Sequence, residues 1–135
     1  MAEAGLATAG LHARGDFGYS SGLDAARQLL DGEDPPTAII ASSDQMTLAA
    51  LAVANERNLA VPDDLSLVSF DNSPVVSFSR PRLTAVDQPI AETCSRAVEL
   101  LIAAAAGEPE REPVIIPCQL IVRDSTGAAR VREDS

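Results

Sequence analysis

Apolar and polar residues along this chain fall into blocks that predict strands and helices in turn. The most strand-like block is LSLVSFDN, Leu65 to Asn72, a short apolar run behind the turn signal Pro62-Asp63-Asp64. Because this run is apolar on both faces, it is typical of an inner strand of a parallel sheet that helices cover. Asp71 would then lie at the carboxyl end of the strand, where open α/β sheets bind ligands.

Other blocks extend this pattern to the whole chain. Further strands are predicted at Leu11 to Phe17, Thr37 to Ala41, Leu83 to Val86 and Val114 to Val122, the last interrupted by Pro117. Amphipathic helices are predicted at about 22–31, 44–57 and 90–106, with Ser21 and Ser42 as caps of the first two, and 73–82 is expected to form a loop. Strands alternating with helices predict an α/β fold, a mostly parallel sheet with helices on both faces.

Composition narrows the class of protein. The 135 residues suffice for about one domain with a buried core, and the formal net charge of −10, with no Lys, argues against this chain itself holding a phosphate backbone. There is no apolar run of roughly 18 residues and no secretory signal, so we expect a cytoplasmic protein with no membrane span. Cys94 and Cys118 have no metal-binding spacing, and we expect two reduced, buried thiols.

One aromatic and several polar residues directly follow the predicted strands, at Phe17, Ser43-Asp44, Asp71 and Gln88. The carboxyl ends of parallel strands lie along one edge of a sheet, so we expect these residues to meet there. Hydroxyl, carboxylate and amide groups can bond ligand hydroxyls, while an aromatic ring covers the apolar face of a sugar or purine. The residues alone leave an alternative open, in which Ser43, Asp44 and Gln88 only cap helices and Asp71 only forms a turn.

The residues favour a binding protein over an enzyme. A response-regulator type of phospho-acceptor site would need a Lys, and His12, the single His, has no GxSxG nucleophile motif near it. The sequence contains neither GxGxxG nor GxxxxGK[ST], and no zinc-ligand spacing. We therefore expect no catalytic residues, no metal and no cofactor.

Three blocks of this sequence resemble the carboxyl-terminal part of LacI/GalR-family bacterial transcription repressors. They are TAIIASSDQMTLAALAVANERNLAVPDDLSLVSFDN, PRLTAVDQP and LIVRDSTG, which match in order and spacing over about residues 5–128. The resemblance implies a periplasmic-binding-protein-like effector domain of type I, with a sugar or nucleoside-like effector in a cleft and a homodimer interface beside it. It also implies a helix-turn-helix headpiece that binds operator DNA; the headpiece and most of the first lobe have no counterpart in this sequence.

The resemblance also assigns parts of the chain. It implies a carboxyl-terminal lobe at 1–88, a helix and strand at 89–119 that return to the first lobe, and a strand end with a polar tail at 120–135. It places effector contacts at Phe17, Ser43, Asp71 and Gln88, supported by Ser42, Asp44 and Asn72. Ser43 stands where many members have Asn, and Asn72 where many have a second Asp, so the type of sugar stays open. The implied dimer face comprises Ser21, Gly22, Thr47, Leu48, Leu51, Val76, Phe78 and Arg80.

Two other functions stay open at this point, a solute-binding protein of a transport system and a truncated remnant without function. The LIVRDSTG ending and the lack of a secretory signal favour the repressor.

The last predicted helix poses a packing problem. Ile90, Cys94, Val98 and Leu101 form an apolar stripe on it, whose burial would contribute on the order of 4–10 kcal/mol. We therefore predict that this helix either docks on its own sheet or self-associates.

Overall fold

The computed structural model describes residues 11–108 and 112–129. Within these ranges the elements in chain order are α1 (Tyr19–Leu30), β1 (Ala38–Ile40), α2 (Asp44–Glu56), β2 (Ser66–Asp71), α3 (Val75–Phe78), β3 (Thr84–Asp87), α4 (Ile90–Ala105) and β4 (Gln119–Ile121). The strands form one sheet in the order β1-β2-β3-β4, in which β1, β2 and β3 are parallel and β4 is antiparallel to β3. The predicted α/β fold with a mostly parallel sheet is confirmed.

The core lies between one face of the sheet and helices α1 to α3. β2 is an inner strand, as predicted, and its Leu67 and Ser69 are fully buried on this face beside Val53 of α2. Gly22 brings α1 against α2 so closely that a Cβ atom there would lie 2.8 Å from the Cα atom of Met46. Glycine at this position is therefore what allows the two helices to pack on the sheet together.

No helix of the described ranges covers the opposite face of the sheet. Ile40 of β1 is 74% exposed and Leu120 of β4 is 60% exposed, and every residue of α4 except Ala103 is exposed. Gln88 and Pro89 connect β3 to α4. Within the described ranges helices α1 to α3 thus lie on one face of the sheet. Helix α4 does not dock on the sheet, so that branch of the prediction is wrong.

Several element ends differ from the prediction. Residues 11–16 form no strand, because only Leu11 and Ala13 alternate before Gly15 interrupts the pattern. β4 is shorter than the predicted run from Val114, since Pro117 has no N–H group for a sheet ladder. The loop at 73–82 contains the single turn of α3. Helix α1 begins at Tyr19 with Gly18 as its cap, so Ser21 is not the cap.

Cys94 and Cys118 are free thiols, but both are exposed, so the prediction that they are buried is wrong. Cys94 lies on α4 and Cys118 just before β4, the two elements with little cover. In 11–108 and 112–129, no helix combines the length and apolar character needed to cross a bilayer. No cluster of His, Cys, Asp and Glu in those ranges could hold a metal ion.

Candidate functional site

An open cavity of about 390 Å³ lies at the carboxyl ends of β1, β2 and β3. Its walls combine apolar and aromatic groups with a few polar ones, namely Phe17, Ile40, Ala41, Ser42, Phe70, Asp71 and Gln88. This volume falls in the range of small-molecule sites, roughly 300–1,000 Å³. A smaller cavity of about 150 Å³ between α1, β1 and α2 contains no carboxylate or carboxamide. Three of the four predicted effector residues, Phe17, Asp71 and Gln88, thus meet in one cavity.

Asp71 presents its carboxylate at this cavity from the last position of β2. Its backbone has φ 104°, a conformation that costs a non-glycine residue about 1–3 kcal/mol and persists where the surroundings fix it. The register of β2 and β3 pairs Asp71 with Asp87, so Gln88 is the next residue along β3. Gln88 Nε2 donates a hydrogen bond of 2.5 Å to Asp71 Oδ1. The two side chains form one polar wall of the cavity.

Phe17 presents an aromatic ring that is 65% exposed, from a backbone with φ 69°. The Ser43 hydroxyl donates to the carbonyl oxygen of Phe17 at 2.8 Å. On the preceding residue, the Asp16 carboxylate accepts from the Ser21 hydroxyl and from the backbone N–H of Gly18, at 2.9 Å for the latter. These bonds, chiefly that from Ser21, lower the pKa of the Asp16 carboxyl below its usual value. A ring on so constrained a backbone can stack on the apolar face of a ligand.

Ser43 caps α2 and Ser42 lines the cavity, whereas the sequence predicts the cap at Ser42 and the cavity contact at Ser43. Ser43 is buried, its hydroxyl donates to Phe17, and its oxygen accepts from the Met46 N–H at 3.2 Å as the cap of α2. The Ser43 hydroxyl proton is therefore engaged within the chain, and an effector contact of Ser43 stays a prediction. Ser42, which was expected to cap the helix, lines the cavity instead. The physical reason is that α2 begins at Asp44, which makes Ser43 the capping position.

Asp44 does not cap α2 but links it to the loop after β2. It is 5% exposed, its Oδ1 accepts from the Ser69 hydroxyl at 2.5 Å, and its Oδ2 accepts from the Ser73 N–H at 2.6 Å. The Thr47 hydroxyl joins the same cluster, 2.9 Å from the Ser69 oxygen. Sequence reasoning missed this cluster, although Ser69, a polar residue inside an apolar strand, signals a buried polar partner.

Arg123 supports the same loop from its other side. Asn72, with φ 61°, accepts from Arg123 Nη2 at 2.7 Å and donates from its own amide to Asp87 Oδ1 at 3.0 Å. Arg123 Nη1 also donates to the carbonyl oxygen of Leu83 at 2.6 Å. Asn72 thus links the loop to both Arg123 and β3, and its support of an effector site stays a prediction. Arg123 was not singled out from the sequence, although the LIVRDSTG block contains it.

The predicted dimer-face residues divide into two groups. Gly22, Thr47, Leu51 and Val76 are buried inside the chain, so they cannot reach a second copy while this fold is intact. Ser21 is half-buried and bonded to Asp16. Phe78 and Arg80 are exposed, Phe78 by 75%, and Leu48 is half-buried against the core. Dimerisation through this face stays a prediction, in which Leu48, Phe78 and Arg80 would make the contacts with the second copy.

Sequence comparison relates the chain to bacterial regulators. The family described as periplasmic binding protein-like domain matches residues 1–126. The HTH-type transcriptional repressor CytR of Escherichia coli is 42% identical over 117 residues, which are 86% of this chain and 34% of that repressor. The HTH-type transcriptional regulator CelR of Thermobifida fusca is 39% identical over 113 residues, 82% of this chain and 33% of that protein. The chain therefore spans about a third of the length of these relatives.

Solved structures agree with the sequence comparison. A regulatory protein of the LacI family from Chloroflexus aggregans superposes with a TM-score of 0.83 at 38% identity, over 94% of this chain and 47% of that one. The complex of the transcriptional regulator CelR with cellobiose gives a TM-score of 0.74 at 39% identity, over 82% of this chain and 34% of that one. By sequence and by fold, the chain belongs to the family of periplasmic binding protein-like domains and is homologous to LacI-family transcription regulators.

Proposed function

We propose that this chain forms part of the effector-binding domain of a LacI-type transcription regulator, and that its effector is a neutral polyhydroxylated molecule such as a sugar or nucleoside. The observation that carries the proposal is the cavity of about 390 Å³ that brings the Phe17 and Phe70 rings together with Asp71 and Gln88. Aromatic rings cover apolar ligand faces, while carboxylate and carboxamide groups bond hydroxyls.

The Asp71 carboxylate is the strongest acceptor in this cavity. One of its oxygens already accepts from Gln88, and an ionised carboxylate offers about four lone-pair sites, so it can also accept from ligand hydroxyls. The Gln88 carboxamide can at the same time offer its oxygen to a ligand donor. Such an arrangement selects a ligand with several adjacent hydroxyl groups.

The charges around the cavity support a neutral effector over a phosphorylated one. None of the residues that line the cavity is basic, and Asp71 contributes a negative charge. A phosphate group placed there would be repelled by the carboxylate without a compensating cation.

The relatives support a regulator over a transport protein, since CytR and CelR are named as transcriptional regulators and the solved CelR complex contains cellobiose. In the whole protein, we propose, a helix-turn-helix segment outside this chain contacts operator DNA. A homodimer through Leu48, Phe78 and Arg80 would present two such segments.

The proposal is tested on Asp71. Isothermal titration of the chain with cellobiose, glucose and cytidine is expected to show binding of at least one of them. We expect Asp71→Ala to lower that affinity at least about tenfold, because a hydrogen bond to a charged group contributes roughly 1.5–3 kcal/mol.

Asp24→Ala provides the matched control, since it removes the same charge from an exposed position on α1 that is outside the cavity. Equal affinities of wild type and Asp71→Ala would remove Asp71 from the site. Binding of glucose 6-phosphate in preference to glucose would contradict the neutral effector.

A further inference from the structure

The loop after β2 is held on both sides of Asp71 by one buried carboxylate. Ser69, two residues before Asp71, donates its hydroxyl to Asp44 Oδ1, and Ser73, two residues after it, donates its backbone N–H to Asp44 Oδ2. The donor and acceptor atoms are 2.5 and 2.6 Å apart in these two bonds. Asp44 thereby fixes the start and the end of the segment that carries Asp71.

This segment needs such support because of its backbone. Asp71 and Asn72 both have positive φ, 104° and 61°, which non-glycine residues adopt only when the surrounding structure imposes it. The Ser73 N–H is the first backbone donor after this pair, and Asp44 is its acceptor. Asn72 is also bonded to Arg123 and Asp87, so losing the Asp44 acceptor would remove one of several bonds that hold the positive-φ conformation and would loosen the position of the Asp71 carboxylate.

Asp44 is well placed to act as a buried acceptor. It occupies the first turn of α2, where the helix dipole favours a carboxylate, and its two oxygens accept bonds although it is only 5% exposed. It does not line the cavity, so it has no contact with a ligand there.

We propose that Asp44 is a positioning residue, which acts through Ser69 and Ser73 to hold the Asp71 carboxylate at the cavity. The role as a positioning residue for a ligand rests on the function proposed above, whereas the control of the loop by Asp44 does not. The test therefore has one measurement without ligand and one with it.

Hydrogen exchange of the 135-residue chain, read at single amides by nuclear magnetic resonance, is the measurement without ligand. In Asp44→Ala, the Ser73 amide is expected to exchange about ten times faster or more, while the Leu67 amide within β2 keeps its protection. Asp44→Asn retains a neutral acceptor for Ser73, so we expect a smaller acceleration of about fivefold. That variant keeps the test decisive if Asp44→Ala does not fold.

Thr47→Val is the matched control. It removes a buried hydroxyl from the same cluster and retains the side-chain shape, but Thr47 has no bond to Ser73. We expect it to lower overall stability without a selective change at Ser73. Unchanged Ser73 exchange in both Asp44 variants, or an equal acceleration in Thr47→Val, would overturn the proposal.

The measurement with ligand separates the two proposals. If both hold, Asp44→Ala lowers the affinity for the sugar or nucleoside that binds, and Asp44→Asn restores part of it. Faster Ser73 exchange together with unchanged affinity in Asp71→Ala would retain Asp44 as the residue that holds the loop and reject Asp71 as a ligand contact. Weaker binding in Asp71→Ala with full affinity in Asp44→Ala would reject the positioning role alone.

Discussion

Phe17 depends on its neighbours for a backbone conformation that a phenylalanine seldom adopts alone. Ser43 bonds its carbonyl oxygen, and Asp16 bonds the Gly18 N–H immediately after it. The aromatic wall of the cavity is therefore held through the residues beside the ring and not through the ring itself, which is 65% exposed. Changes at Asp16 or Ser43 are expected to disturb the ring without touching it.

Asp16 makes this support dependent on pH. Its pKa is lowered from 3.8, chiefly by the Ser21 hydrogen bond, so its contribution to stability is present above the pKa of the unfolded chain and is lost as the pH falls through the lower folded value. We expect the difference in melting temperature between wild type and Asp16→Asn to be largest above about pH 5 and to shrink as the pH falls toward about 3. Circular dichroism melts of the two proteins across that range measure it, and a difference that does not vary with pH would show that ionisation of Asp16 is irrelevant.

The sequence could predict cavity residues wherever a residue directly follows an apolar run. Asp71 and Gln88 meet because the parallel strands β2 and β3 end at one edge of the sheet, which follows from the order of the elements. Phe17 follows residues 11–16, which form no strand, so its place in the cavity has a different cause. The roles of Ser42 and Ser43 could not be told apart from the sequence, because both serines directly precede the helix start at Asp44 and the hydroxyl of either could cap the helix. Asp44 could not be assigned either, since its partners Ser69 and Ser73 lie 25 and 29 positions away in sequence.

At the scale of elements, α4 is the exception in this fold. Its residues repeat at helical spacing and form a helix as predicted, from Ile90 to Ala105, yet Val98 is 53% and Leu101 is 69% exposed. Periodicity predicts that a helix forms and which residues share a face, but it does not identify what that face packs against. The predicted self-association of α4 is the branch that the structure leaves to experiment.

Self-association through α4 is testable by sedimentation equilibrium. We expect the wild-type chain to form dimers or larger species, and the double variant Val98→Glu, Leu101→Glu to be monomeric, because charges on the apolar stripe oppose its burial. The double variant Ser95→Glu, Arg96→Gln changes the formal charge equally at positions outside the stripe and should associate like the wild type. A wild type that stays monomeric at every concentration would contradict the prediction.

At the scale of the whole molecule, the net negative charge of this chain opposes binding to DNA. The net charge of −10 would repel a phosphate backbone. We therefore expect no retardation of an operator-like duplex by the 135-residue chain in a gel-shift experiment at physiological salt. Escherichia coli CytR, which carries its own helix-turn-helix segment, is a suitable positive control. A specific, salt-sensitive complex with the 135-residue chain would show that this part of the molecule contacts DNA itself.

Only Pro89 lies between Gln88, a residue of the cavity wall, and the first residue of α4. Gln88 bonds Asp71 at the cavity, and one residue later begins a helix of 16 residues, about 24 Å long. With the pivot at Pro89, a tilt of about 10° carries the far end of α4 through about 4 Å. Along the helix only Ala103 is buried, so few side-chain contacts would oppose such a tilt. The residue from which α4 departs and the polar wall of the cavity are thus neighbours in the chain.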